Sequence, residues 1–119
     1  MNFLNSLAPY VHWGVRASLA ATFIYHGVAK FPPDGFVQFT GLPMIVGWLV
    51  ALGEVGAGVC LMVGPLTKDL LTRLGGLLVV VIMIGAIALV HLKQGWDGME
   101  FQVLMLVTGL YFAAKGNNV

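Results

Sequence analysis

The constraint that governs this chain is a run of apolar residues with one carboxylate in its middle. Pro43 to Val63 reads PMIVGWLVALGEVGAGVCLMV, and its ionisable residues are Glu54 at the centre and the thiol of Cys60. The run is about the length a helix needs to cross a bilayer. A bare carboxylate in hydrocarbon is costly, so a membrane helix that carries one turns it inward and gives it a partner. At helical period Gly47, Ala51, Glu54, Ala57 and Gly58 fall on one stripe, while Trp48, Leu52, Val55, Val59 and Met62 lie mostly elsewhere. Small residues let a second helix approach closely, so the stripe predicts that Glu54 sits on a packing face.

Composition extends the argument to the whole chain. Of 119 residues, 59% are apolar and 9% are charged, with a mean hydropathy of +0.92. Soluble domains carry about 25% charged residues, so the chain belongs among membrane proteins, in contact with the lipid bilayer. Its length fits one domain. A net charge of +1 gives no basic surface for nucleic acid. The single cysteine, Cys60, excludes an intrachain disulfide, a CxxC redox pair and a thiolate metal cluster. No cationic segment precedes the first apolar run, so a cleaved signal peptide is not expected.

The prolines mark the ends of the spans. Pro9, Pro32, Pro33, Pro43 and Pro65 all fall outside the long apolar runs, because proline is tolerated at a helix's first turn and not in its interior. The expected fold is therefore all-α: one four-transmembrane-helix bundle with helices at about 10–30, 43–63, 69–93 and 99–115. Residues 34–40, with Phe36, Val37 and Phe39, form an expected interfacial segment. Thr67 or Asp69 can cap the third span. Asp97 with Glu100 has the spacing of a capping box for the fourth, and Gly116 ends it. Four spans put both termini on one side, and the excess of Lys68, Arg73 and Lys115 there makes that side cytoplasmic.

The first span is the most polar. Gly14, Ser18, Thr22, His26 and Lys30 recur every four residues and define a slowly drifting stripe expected to face the bundle interior. Alternating chain direction collects His26, Lys30, His91, Lys93, Asp97 and Glu100 at one end. Arg16 lies about 6 Å in depth from Glu54 by helical rise, which predicts an Arg16–Glu54 pair across the first two spans. Each residue also has a plain structural role. Arg16 with Glu54 can serve only to fix helix register. The lysines can snorkel to the interface, and Glu100 suits a cap better than an acid catalyst. His26 and His91 stand at unmatched depths, which argues against haem or metal ligation, and no metal is expected.

In order and spacing these pieces resemble the DoxX family of small four-helix bacterial membrane proteins. The carriers are RASLAATFIYHGVAKF (Arg16, His26, Gly27, Lys30), GLP at Gly41 to Pro43, GEVGAGVCLMVG with Glu54, and the stretch from Gly64 to His91. The resemblance implies a multi-pass protein of the bacterial inner membrane tied to oxidoreductase systems. It has relatives in a thiosulfate:quinone oxidoreductase and in an oxidative-stress assembly. No flavin, nucleotide or iron–sulfur motif is present in the sequence, so electrons would pass through a bound quinone, an unrecognised haem or a partner subunit. The expected function is a membrane subunit of a quinone-linked redox complex, with a polar site between the first three spans. There Glu54 and His26 would move protons, and Arg16, Lys30 and His91 would bind. The alternative is a non-catalytic accessory subunit that packs among other subunits or copies of itself. A small-solute transporter fits less well, since no span is broken.

Overall fold

The computed structural model covers residues 1–119 and describes every side chain except those of Val90, His91 and Leu92. The chain is helical throughout: α1 (Asn2–Leu7), α2 (Val11–Ala29), α3 (Asp34–Thr40), α4 (Met44–Val63), α5 (Asp69–Ala86) and α6 (Trp96–Lys115). Short 3₁₀ turns join α1 to α2 and follow α4. A π-helical turn at Ile87–His91 and a 3₁₀ turn at Leu92–Gln94 lead into α6.

The helix ends follow local chemistry. Pro43 precedes α4 in an extended conformation, and Gly64-Pro65 stops it. Gly116 closes α6 at a φ of 60°, where a Cβ would be strained. Two expectations fail at the starts. Lys68, not Thr67 or Asp69, caps α5, and no side chain bonds its first turn. The Asp97–Glu100 capping box does not form, because Gly95, at a φ of 78°, turns the chain early enough for α6 to begin at Trp96. The lead-in before α2 is helical as well, and its side chains are exposed.

The four long helices pack in chain order, α2 on α4, α4 on α5, and α5 on α6. Glycine sets how close they come. A Cβ on Gly27 would stand 2.8 Å from the Ala51 carbonyl oxygen, and one on Gly76 only 2.4 Å from that of Gly109. The helix backbones therefore touch, as small residues permit between membrane helices. Leu19, Phe23, Leu61, Val79, Met83 and Phe112 fill the core between them.

The stripe read on α4 is its buried face: Gly47, Ala51, Glu54, Ala57, Gly58 and Leu61. On α2 the buried face is Arg16, Leu19, Ala20, Phe23 and Gly27. The polar stripe from Gly14 through Ser18 to His26 was expected inside and instead lies mostly outside, with Thr22 half-buried. Its hydroxyls explain why this is tolerated: Ser18 donates to the Gly14 carbonyl and Thr22 to that of Ser18, both at 2.9 Å. A hydroxyl satisfied by its own helix needs no bundle interior.

The outer faces are apolar, with Leu49, Leu52, Leu77, Val81, Ile84 and Leu104 each more than half exposed. So much exposed large aliphatic surface suits hydrocarbon. Among the described residues, α4 with its following turn (Met44–Leu66) and the stretch Asp69–Leu89 are long and apolar enough to cross a membrane.

Candidate functional site

Glu54 lies at the α2–α4 interface with 6% of its side chain exposed, and its partner is Lys30 rather than Arg16. Lys30 Nζ stands 2.8 Å from Glu54 Oε1. The same ammonium reaches the His26 carbonyl at 3.5 Å and sits 5.2 Å from the centroid of the Phe36 ring. Lys30 follows the last residue of α2 and keeps 21% of its side chain exposed. It is therefore a snorkelling lysine turned inward: the stem lies along the protein and the charge spans a buried acid and the surface. Phe36 comes from α3, whose residue Val37 packs against the Gly47 position of α4. The short helix thus covers one side of the ion pair.

Direction decides the pairing. Gly27 meets Ala51 and Val55, while Gly58 meets Ala20 and Ile24, so α2 and α4 run antiparallel. Side chains on a helix lean towards its N-terminus. Lys30 leans back towards the level of Gly27, and Glu54 leans towards the start of α4, so the two converge. Arg16 and Glu54 lean in opposite directions and diverge. Depth agrees: with Gly27 level with Ala51 and Val55, and Ala20 with Gly58, Arg16 stands near the level of Leu61 and far from that of Glu54, so the expected Arg16–Glu54 pair does not form.

Arg16 is fully buried at the other end of α2. Its Nε donates to His12 Nδ1 at 2.9 Å, and Nη1 donates to the Leu61 carbonyl at 2.7 Å and to Thr72 Oγ1 at 3.0 Å. Nη2 reaches Asn117 Oδ1 at 3.4 Å, and the guanidinium lies 4.8 Å from the centroid of Phe112. The Leu61 carbonyl has a specific need. Its helical partner would be the N–H of residue 65, which is a proline and has none. Arg16 fills that gap with a charge-assisted bond. One guanidinium therefore joins α2, α4, α5 and the segment after α6.

Asn117 completes this knot. Its Oδ1 accepts a short hydrogen bond from Thr72, its Nδ2 donates to the Gly64 carbonyl at 3.0 Å, and its backbone N–H donates to Asp69 Oδ1 at 2.6 Å. Asp69 also pairs with Arg73 at 2.7 Å, and Arg73 Nη1 caps the Ala114 carbonyl at the end of α6. Sequence reasoning gave none of these roles to His12, Thr72 or Asn117. The one local signal was Pro65, which orphans a carbonyl beside the level of Arg16.

The predicted site residues thus divide into two groups. Lys30, Glu54 and the backbone of His26 meet at one end of α2, while the His26 side chain is exposed and rests edge-on to Tyr25. Arg16 anchors the opposite end. His91 lies outside the residues whose side chains are described. Among the described residues no three His, Cys, Asp or Glu side chains gather as metal ligands.

Comparison with known proteins places this geometry in a family. The DoxX family model matches residues 13–92, from Trp13 beside Arg16 to the turn before α6. A protein named "Putative oxidoreductase CatD" from Bacillus subtilis (strain 168) is 34% identical over 108 residues, spanning 87% of this chain and 77% of that protein. No solved structure matches. The family match covers Arg16, Lys30 and Glu54 together with three of the four long helices, and the chain belongs to the DoxX family.

Proposed function

We propose that this chain is an inner-membrane subunit of a quinone-linked oxidoreductase complex, and that α2, α4, α5 and α6 are its four spans, with both termini cytoplasmic. The observation that carries the reading is the Lys30–Glu54 pair, which holds a carboxylate inside a long apolar helix and keeps it in touch with the surface through the lysine. Reduction of a quinone takes up protons as well as electrons, and a membrane subunit that serves it needs a group to deliver them. Glu54 is such a group, Lys30 is its ion-pair partner, and the exposed imidazole of His26, one turn before Lys30, is the exchange point with the surface. Membership of the DoxX family and the name of the relative support the association with oxidoreductases.

A second reading is favoured by Arg16. Its bonds are all internal and it is fully buried, as suits a bundle whose polar groups only hold the helices in register within a larger assembly.

Membranes from cells carrying Glu54→Gln separate the two. The redox reading expects the complex to assemble, as seen on a native gel, while quinone-linked electron transfer is lost. Dissociation of the complex on that substitution supports the structural reading. Equal quinone reduction in wild-type and deletion membranes refutes the redox one.

A further inference from the structure

The long helices close three seams in chain order, and the fourth, between α2 and α6, stays open. A cavity of about 590 Å³ lies between the first turns of α2 and the last turns of α6. A second, of about 320 Å³, continues along the same seam, and the two share Val15 and Thr108. From Tyr111 to Phe101 the groove follows α6 for about 15 Å. Bilayer hydrocarbon is about 30 Å thick, so the groove is as long as one leaflet is deep. Its inner part is walled by Leu19, Phe101, Leu104 and Met105. Ser18, Thr22 and Thr108 line it too, but each hydroxyl donates to the carbonyl four residues back. With those donors spent on their own helices, the inner part suits an aliphatic chain.

The mouth is polar. His12 lines it, and Arg16 Nε donates to His12 Nδ1 at 2.9 Å. A neutral imidazole that accepts at Nδ1 carries its proton on Nε2. That Nε2–H and the Tyr111 hydroxyl make no hydrogen bond among the described residues. One turn beyond Tyr111, Lys115 is exposed, with Nζ 6.0 Å from the centroid of the Tyr111 ring. It has no acidic partner among the described residues. Charge is also uneven along the bundle. The mouth end holds Arg16, Lys68, Arg73 and Lys115 against Asp69, which Arg73 already pairs. The other end holds Lys30 and Lys93 against Asp34, Glu54, Asp97 and Glu100.

We infer that the α2–α6 groove binds an anionic phospholipid, with its phosphate at Lys115, an ester carbonyl accepting from His12 Nε2–H, and one acyl chain along Leu19, Leu104 and Met105. The inference rests on the four-span arrangement proposed above and does not use the quinone link. Cation, donor and apolar wall follow one another from Lys115 down to Phe101. A phospholipid presents phosphate, carbonyl and chain in the same order from water to bilayer centre. A neutral ring compound would leave Lys115 without a counter-charge, and Phe112 is fully buried, with the Arg16 guanidinium over its ring.

The test places the full chain in phosphatidylcholine nanodiscs, with Trp48→Phe and Trp96→Phe so that Trp13 reports alone. Its ring centroid is 5.4 Å from that of His12. Phosphatidylglycerol brominated in the upper part of its chains is expected to quench Trp13 along a saturating curve. Its preference over brominated phosphatidylcholine is expected to be about fivefold, the worth of one lysine against one anionic headgroup. Lys115→Gln is expected to remove that preference. Lys68→Gln, in the turn between α4 and α5, is expected to keep it. Ether-linked phosphatidylglycerol, which lacks the carbonyl, is expected to compete about fivefold less well than the ester form, the worth of one hydrogen bond, and His12→Phe to erase that difference. Gly14→Leu fills open space in the groove and is expected to abolish the saturating component. Equal quenching by both brominated lipids, rising in proportion to mole fraction, reports only the surrounding bilayer and overturns the site while the spans stand. Loss of the preference in Lys68→Gln as in Lys115→Gln shows diffuse attraction to the positive end and overturns the site. So does a saturating curve that Gly14→Leu leaves unchanged, and an ether form that competes equally overturns the role of His12. Quenching by neither lipid overturns the site in one of two ways. With two chains per disc a second copy fills the groove; with one chain, α2 lies outside the bilayer and the four-span reading falls as well.

Discussion

Lys30→Met removes the cation 2.8 Å from Glu54 and leaves the carboxylate, 6% exposed, without a partner among the described residues. Breaking one side of a buried pair costs about 3–5 kcal/mol, because the remaining charge has no compensation. The reverse substitution behaves differently. Lys30 keeps 21% of its side chain exposed and lies at the end of α2, so in Glu54→Leu its ammonium swings to the surface and the cost is under about 1 kcal/mol. The double variant leaves no buried charge and is expected to resemble Glu54→Leu, so the coupling energy equals the Lys30→Met loss, about 3–5 kcal/mol. The assay is reversible unfolding of the purified protein in mixed micelles, titrated with a denaturing detergent and followed by tryptophan fluorescence. Equal losses from the two single variants, or losses that sum within about 0.5 kcal/mol in the double variant, would refute the argument. They would mean that Glu54 is stabilised by something other than Lys30.

Four further outcomes follow from the packing and the Arg16 knot. Arg16→Met orphans the Leu61 carbonyl and is expected to cost about 1–3 kcal/mol; adding Pro65→Ala supplies the missing N–H and should restore about 1 kcal/mol in the same unfolding assay. Gly76→Ala places a Cβ 2.4 Å from the Gly109 carbonyl oxygen, a clash with backbone that is expected to cost about 1–3 kcal/mol. Gly85→Ala, with nothing within 4 Å of the new methyl, should be neutral or gain up to about 1 kcal/mol from helix propensity, and a loss there would show that α5 packs differently. Asn117→Ala removes the acceptor for Thr72 and the donor to Gly64, so it should lower stability by about 1–3 kcal/mol and speed limited proteolysis after α6.

What could be read from the sequence, and what could not, follows from the physics of each helix. The buried face of α4 was legible because its small residues and its acid share one helical period, with bulky residues elsewhere. The inner face of α2 was not. A stripe of Ser18, Thr22 and His26 looks like one that must hide from lipid, but i−4 bonding lets serine and threonine satisfy themselves where they stand. The partner of Glu54 was misread because the end of α2 and the start of α4 were taken as level, whereas Gly27 packs beside Ala51 and Val55 and leaves Arg16 at the level of Leu61. Arg16 was captured instead by neutral acceptors brought from 45, 56 and 101 residues away, and no local pattern announces contacts at such separation. The capping box failed for a smaller reason: a glycine at positive φ started α6 before Asp97 could cap it.

The reach of Arg16 also bears on how such a chain enters a membrane. The ribosome delivers this arginine long before it makes Thr72, and longer still before Asn117. Through that interval the first long helix holds a cation whose acceptors do not yet exist. The helix is expected to wait at the headgroups, or beside the insertion machinery, until α4 and α5 can escort it inward. A nascent chain halted before residue 72 should leave α2 open to water-soluble reagents, and one extended beyond residue 117 should protect it.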